Sequence, residues 1–187
     1  MKFKTLYQEA VRIGIKNDLR GKNAVVRILK ENKKTYENLS NDEKKYFDLE
    51  KLNNPYGDTR MLWGDENIEV KNILIGIDME GGEILLADRL REKGNKVDLV
   101  LAHHPEGRAL ANLAQVMDIH TDVLCNIGVS ESVAESLVSE RVSEVERRLL
   151  PVNHLRSVDF ARLLDIPFMT LSIHWYFFPM IFFQRSG

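Results

Sequence analysis

The strongest constraint on the fold is a largely apolar run, Val97–Ala102, that stops at two adjacent histidines followed by Pro105. Its valine and leucine content predicts a strand that is buried on both faces of a parallel sheet. Residues at the carboxyl ends of such strands line the crevice where open α/β sheets bind ligands. His103 and His104 stand at that position, so the sequence places candidate chemistry at the end of this strand.

A second strand and a helix precede this run. Asn72–Asp78 is a short β-branched segment, and Glu83–Lys93 has a partly apolar helical face. Gly94 follows at a position typical of a helix end. A strand, a helix and a strand within about thirty residues form a βαβ unit with a right-handed crossover. The sequence therefore predicts an α/β domain.

The N-terminal third is predicted to be helical and polar. Residues 1–52 carry narrow apolar stripes, and a capping-box pattern at Ser40 and Glu43 predicts a helix that continues to Leu52. The turn cluster Asn53–Gly57 is a candidate boundary. We predict a connecting loop over residues 58–67, with its apolar side chains packed inward, namely Met61, Leu62 and Trp63.

Beyond the histidines the pattern predicts three helices and one strand. The first helix follows Pro105, and its apolar stripe is Leu110, Leu113, Ala114 and Met117. The short apolar run Val123–Ile127 predicts a strand. The spacing then predicts a long helix over residues 128–150 and a further helix over residues 153–164.

The last residues differ from the rest of the chain. Ile173–Phe183 holds six of the fifteen aromatic residues and no charge, and Ile166–Gln184 has nineteen residues without a formal charge. That length is close to a membrane span, but its prolines and polar residues make a poor bilayer helix. Three interpretations stay open: a buried edge segment, a membrane tail anchor, or a non-native ending from a shifted reading frame.

The composition is that of a soluble globular protein. The 187 residues suffice for one domain with an appendage, and the net charge of −2 gives no global reason to bind nucleic acid or an anionic membrane. The single cysteine, Cys125, excludes an internal disulfide framework and a multi-cysteine metal site. Because the N-terminus has no secretory pattern, we expect a cytoplasmic protein.

His103 and His104 are the candidate metal ligands. Consecutive strand residues point to opposite faces, so the pair does not easily chelate one ion, but each histidine can serve a different ion of a two-metal site. Neutral imidazole suits Zn, Fe, Ni or Mn. The alternative is a capped strand end with two hydrogen-bonded histidines. The acids that could complete a metal shell are Asp78, Glu106, Asp118 and Asp122.

The other candidate residues carry weaker signals. His120 could be a third ligand beside Asp118 or Asp122, but a surface or hydrogen-bonded role is the favoured interpretation. His154 and His174 receive no function, and Gly81–Gly82 is interpreted as a helix start.

The segment GIDMEGGEILLADRLREKGNKVDLVLAHHPEGRAL resembles the opening of the NIF-three-like family (Ngg-interacting-factor-like, also named GTP cyclohydrolase type-two homologues). In that family a strand ending in Asp is followed by a helix and by a strand of the form D-L-[VIL]-[VILA]-[AS]-H-H-P. The matching residues are Asp78, Asp98–Ala102, His103, His104 and Pro105. The resemblance covers roughly residues 70–170.

The resemblance implies an α/β fold with a mixed or mostly parallel sheet and flanking helices, here preceded by a helical N-terminal extension. It also implies a dinuclear centre of divalent ions (Zn, Fe, Mn or Ni) with His103 and His104 as ligands. Family members are cytoplasmic homo-oligomers, often hexamers. The expected activity is metal-dependent hydrolysis of a small-molecule nucleotide or phosphoester.

The family's remaining ligands are an Asp in an H-T-x-x-D segment and a His and a Glu in H-x-x-x-E, and this sequence has neither pattern. Where the first segment is expected, Pro167–Thr170 leads into the aromatic tail. We therefore expect a truncated or frame-shifted chain that lacks about half of a dinuclear shell. We expect three divisions of the chain. Residues 1–57 form the helical extension, residues 58–170 form the family domain, and residues 171–187 form the tail. An alternative function is an oligomeric scaffold or regulatory protein with structural metals, because the charged N-terminal helices could dock a partner.

Overall fold

The computed structural model describes residues 1–117 and 119–172. The helices are α1 (Phe3–Asn17), α2 (Lys22–Asn38), α3 (Asn41–Lys44), a 3₁₀ helix (Leu49–Leu52), α4 (Gly81–Glu92), α5 (Gly107–Ala111), α6 (Leu113–Val116), α7 (Ile119–Asn126), α8 (Glu131–Leu149) and α9 (Arg156–Leu163). The strands are β1 (Arg60–Trp63), β2 (Ile73–Gly76), β3 (Leu99–Ala102) and β4 (Phe168–Thr170).

The four strands form one mixed sheet in the order β1-β4-β3-β2. β3 lies between β2 and β4 and is parallel to both, whereas β1 pairs with β4 in the antiparallel direction. Ala102 is in register with Gly76 of β2 and with Thr170 of β4. The carboxyl ends of three parallel strands therefore meet at one edge of the sheet, next to His103.

One face of the sheet packs against α4 and α9. Val100 and Phe168 contribute fully buried side chains from the strands, and Ile84 and Ala161 contribute them from the helices. Side chains alternate between the faces of a strand, so Val100 and Ala102 point to this side. This is the larger of the two cores that flank β3.

The other face is covered by the start of α1. Leu99, Leu101 and Met169 pack there against Phe3, whose exposed fraction is zero. The backbone N–H of Phe3 donates to the carbonyl oxygen of Ile68 at 3.0 Å, which ties α1 to the segment that leads into β2. Because apolar side chains are needed on both faces, β3 has the continuous Val/Leu composition of a fully buried strand.

The predicted fold class is confirmed: the protein is α/β, with a mixed sheet and flanking helices. The divisions at residues 57 and 170 stay predictions. Among the described residues, no helix combines the length and apolarity needed to cross a bilayer. The aromatic segment Ile173–Phe183 lies outside the described residues.

The prediction of a strand at Val123–Ile127 is wrong, because these residues belong largely to α7. Ile119, Val123 and Ile127 follow one another at intervals of four, which is helical spacing, and α7 packs against α8. Short apolar runs do not distinguish a strand from a buried helical turn.

The expected connecting loop over residues 58–67 contains β1, which is held by its pairing with β4. Leu62 and Trp63 do pack against the core that includes Phe168, as predicted. Both strands are short, four and three residues, so their pairing rather than their own sequence defines them.

Two predicted helices are interrupted. The capping box at Ser40 and Glu43 is present, but α3 ends at Lys44. The side chain of Asp48 then accepts a hydrogen bond from the N–H of Glu50 and starts the 3₁₀ helix, which ends at Leu52. The helix after Pro105 is divided at Asn112 into α5 and α6.

Replacing Gly107 by alanine should destabilise the fold. Gly107 has φ +58°, and a Cβ there would lie 2.6 Å from a methyl carbon of Val158. We expect a loss of about 2–4 kcal/mol in the free energy of unfolding, from the left-handed backbone and the steric conflict together.

The matched control for this variant is Gly94→Ala. Gly94 has φ +84°, but a Cβ there would meet no atom within 4 Å. The Gly94→Ala variant should lose only about 1 kcal/mol in the free energy of unfolding, because only the left-handed backbone conformation disfavours alanine there. Equal losses in the two variants, measured by urea denaturation, would contradict the close packing of α5 on α9.

Candidate metal centre

The backbone of β3 places His103 and His104 at the carboxyl edge of the sheet. The N–H of His103 donates to the carbonyl oxygen of Gly76 at 2.9 Å, and the N–H of His104 donates to that of Ile77 at 2.8 Å. Hydrogen bonding to β2 and to the residue after it thus continues beyond the last residue of β3. The backbone of both histidines is therefore held by the sheet.

Asp78 follows β2 and contacts His104. The distance between Asp78 Oδ1 and His104 Nδ1 is 2.6 Å, and the two side chains are 65% and 50% exposed. An ionised carboxylate accepts hydrogen bonds only, so this contact favours the proton on Nδ1 and leaves the lone pair of a neutral ring on Nε2. Metal-binding histidines are commonly oriented by a carboxylate in this way.

His103 lies beside His104 and is less accessible to water. The ring centroids are 5.2 Å apart with an angle of 32° between the ring planes. Burial lowers the pKa of His103 below its ordinary value, and the adjacent His104 lowers it further, whereas Leu171 and Asp78 raise it. The neutral form of His103, which is the form that binds metals, is therefore favoured at neutral pH.

Glu106 stands at the same edge and is held by α9. The hydroxyl of the buried Ser157 donates to Glu106 Oε2 at 2.8 Å. Burial raises the pKa of Glu106, Ser157 lowers it, and the charges of Glu80 and Asp78 raise it. Arg156 forms an ion pair with Glu80, so one cation lies among three carboxylates at this edge.

The structure does not bring every predicted acid to the site. Asp122 belongs to α7 and lines a separate surface pocket with Glu131 and Glu135. The Nδ1 atom of His120 lies 2.9 Å from the carbonyl oxygen of Met117, consistent with the predicted hydrogen-bonded role. Asp118 and His174 lie outside the described residues.

The donor types fit a divalent ion, but the described donors do not complete a centre. Two imidazoles next to a carboxylate suit Zn, Fe, Ni or Mn. Within residues 1–117 and 119–172, no group of three or more His, Cys, Asp or Glu side chains is arranged to hold an ion.

The fold is similar to that of a solved NIF3 superfamily protein from Sphaerobacter thermophilus. The two are 28% identical with a TM-score of 0.55, and the match covers 62% of this chain and 40% of that protein. The fold is NIF3-like. The chain thus spans about two fifths of the length of the protein it matches. No protein-family model and no curated protein matches the sequence.

Ser157 and Glu80 are site-edge residues that the sequence did not indicate in this NIF3-like fold. Ser157 lies 51 positions after Glu106, and Arg156 lies 76 positions after Glu80. Both contacts depend on how α9 packs beside α4 and α5, which no spacing in the sequence records. Asp78 was indicated, because the ends of neighbouring parallel strands meet.

Proposed function

We propose that this protein binds a pair of divalent metal ions, one at His103 and one at His104, as part of a metal-dependent hydrolase acting on a nucleotide or phosphoester. The observation that carries the proposal is the pair of imidazoles at the carboxyl end of β3, with His104 Nδ1 held by Asp78 at 2.6 Å. The similarity to a NIF3 superfamily protein supports it. A hexameric ring stays a prediction from the family resemblance.

Each residue has a distinct role in this proposal. His103 and His104 would each bind one ion, and Asp78 would orient His104 by fixing its ring. A divalent ion held at this edge would supply Lewis-acid polarisation of a phosphoryl oxygen and would stabilise negative charge there. Glu106 and Glu80 would disfavour additional anions at the rim, so productive substrate binding depends on the ion.

The proposal predicts that replacing both His103 and His104 by alanine abolishes stoichiometric zinc binding. Zinc affinity would be measured by competition with a chromogenic chelator, and the fold would be checked by circular dichroism. His120→Ala is the matched control, because that ring is exposed and its Nδ1 atom lies 2.9 Å from the Met117 carbonyl oxygen. An unchanged zinc stoichiometry in the double variant would reject the proposal.

Asp78→Asn tests the orienting role separately. The amide cannot replace the charge of the carboxylate at His104 Nδ1, so we expect zinc affinity to fall about 10–100-fold while both imidazoles remain. The same chelator competition measures it. Full loss of binding in this variant would instead assign Asp78 as a direct ligand, and wild-type affinity would remove it from the site.

A further inference from the structure

A cavity of about 470 Å³ lies between α6, α7, α8 and the residues that follow β4. His103, His104 and Asp78 do not line it, so it is not part of the candidate metal centre. Its walls are largely apolar, formed by Leu113, Val116, Met117, Ile119, Val123 and Val145. Pockets of this size and composition bind small organic molecules.

The acidic group in the cavity wall is closed to a ligand. Asp58 is 2% exposed, and its Oδ1 atom is buried. Ser172, also in the wall and also buried, hydrogen-bonds to the Asp58 carboxyl group. The charge that lowers the pKa of this carboxyl group is that of Arg60, against the larger effect of burial, which raises it. The carboxyl group of Asp58 therefore belongs to the protein interior.

Arg141 of α8 is the accessible charged side chain of the wall. It lies four positions before Val145, so the same face of α8 carries both residues to the cavity. The Arg141 side chain is 57% exposed, and its Nη1 atom donates to Glu144. Within the described part of the chain, its Nε and Nη2 atoms make no hydrogen bond. These two nitrogens present parallel N–H groups, so one side of the guanidinium is a free bidentate donor.

Glu144 does not saturate Arg141, because it is shared with other cations. Its Oε2 atom accepts from Arg141, and its Oε1 atom lies 2.7 Å from Nη2 of Arg148. The hydrogen bond from Arg141, together with the charges of Arg148 and Arg147, lowers the pKa of Glu144. A second carboxylate could therefore pair with Arg141 without displacing Glu144.

We propose that this cavity binds a small organic anion, a carboxylate attached to an apolar body. The carboxylate accepts from Nε and Nη2 of Arg141, whose planar geometry matches two carboxylate oxygens. The apolar body packs among the side chains of α6, α7 and α8. A cation would be repelled by the guanidinium, and a neutral molecule of the same shape would gain the apolar contacts alone.

The test compares two probes of nearly equal shape, 4-phenylbutanoate and 4-phenylbutanol, by isothermal titration of the full chain at neutral pH. We expect saturable binding of the carboxylate and about three- to tenfold weaker binding of the alcohol, because only the carboxylate pairs with the guanidinium. The difference should decrease at high salt, since Arg141 is accessible to ions. Equal affinities for the two probes at low salt, or no saturable binding of the carboxylate, would overturn the proposal.

Arg141→Gln tests the charged end of the site. It should weaken carboxylate binding to about the affinity of the alcohol and leave alcohol binding nearly unchanged. Arg162→Gln is the matched control, because Arg162 is 50% exposed and pairs with Asp159 three positions away, but it lies on α9 and does not line the cavity. This control should change neither affinity. A preference for the carboxylate that survives in Arg141→Gln, or that is lost in Arg162→Gln, would show that the assignment is wrong.

Val145→Phe tests the apolar part of the site. The larger side chain narrows the cavity and keeps Arg141, so both probes should bind more weakly. Unchanged affinities of both probes in this variant would place the binding site elsewhere and overturn the proposal.

Discussion

Replacing Arg60 by methionine is expected to lower the free energy of unfolding by about 3–5 kcal/mol, because it removes a buried guanidinium that pairs with two partly buried carboxylates and two backbone carbonyls. The Arg60 side chain is 1% exposed. Its Nη2 atom lies 3.1 Å from Asp48 Oδ2, and its Nε atom lies 3.2 Å from Glu50 Oε2. Nη1 donates to the carbonyl oxygens of Tyr56 and Thr59.

The same network connects the N-terminal helices to the sheet. Glu50 also accepts from Tyr7 of α1 at 3.1 Å and from Arg108 of α5 at 2.6 Å. Burial raises the pKa of Glu50, while Arg108 and Arg60 lower it. Arg108 lies four positions after His104, so the loss of Arg60 should loosen the loop that follows the candidate ligands.

Urea denaturation measures this effect against a matched surface variant. Arg162→Met removes an ion pair with Asp159 in which both side chains are 50% exposed, and it should cost at most about 1 kcal/mol. If Arg60→Met cost no more than Arg162→Met, the buried network would not contribute to stability as the contacts indicate.

The second large effect is a dependence of stability on pH that originates at Asp58. Burial raises the pKa of this group from 3.8 to about 6 in the folded protein, so between those values the folded state holds a proton that the unfolded state has released. The free energy of unfolding is therefore not reduced by this group below about pH 4, and it decreases as the pH rises through 6. The total cost at pH 7 is about 3 kcal/mol.

Asp58→Asn removes this titration. The difference in unfolding free energy between the variant and the wild type should increase by about 2–3 kcal/mol in favour of the variant from pH 4 to pH 7. Other acids whose pKa is raised, including Glu50 and Glu106, are common to both proteins, so their contributions cancel in the difference. A difference that stays constant over this range would contradict the burial of an ionised Asp58.

The sequence predicted those elements of the fold that can be identified from their residue types alone. β3 is buried on both faces, so its Val/Leu run identified it, and β2 and α4 followed as the rest of one βαβ unit. The sequence analysis did not predict β1 and β4, because a strand of three or four residues is defined by its pairing with residues more than one hundred positions away. α7 was mistaken for a strand because a five-residue apolar window carries no usable period.

Some contacts of the candidate site could likewise be predicted from the sequence, and others could not. Asp78 and His104 were predicted to lie together because each follows the end of a neighbouring parallel strand. The contact between Ser157 and Glu106 and the enclosure of Asp58 could not be predicted, because both depend on tertiary packing. Asp58 also lay in a segment without periodicity, so nothing in the sequence distinguished it from a loop acid.

X-ray absorption at the zinc edge tests the central claim most directly, since it reports which atoms surround the ion. For the zinc-loaded full chain, binding through His103 and His104 predicts imidazole nitrogen scattering at about 2.0–2.1 Å, together with oxygen ligands. The imidazole contribution should decrease in His104→Ala and remain in His120→Ala. A wild-type spectrum without imidazole scattering, or one that His104→Ala leaves unchanged, would contradict the assignment of this strand end as a metal centre.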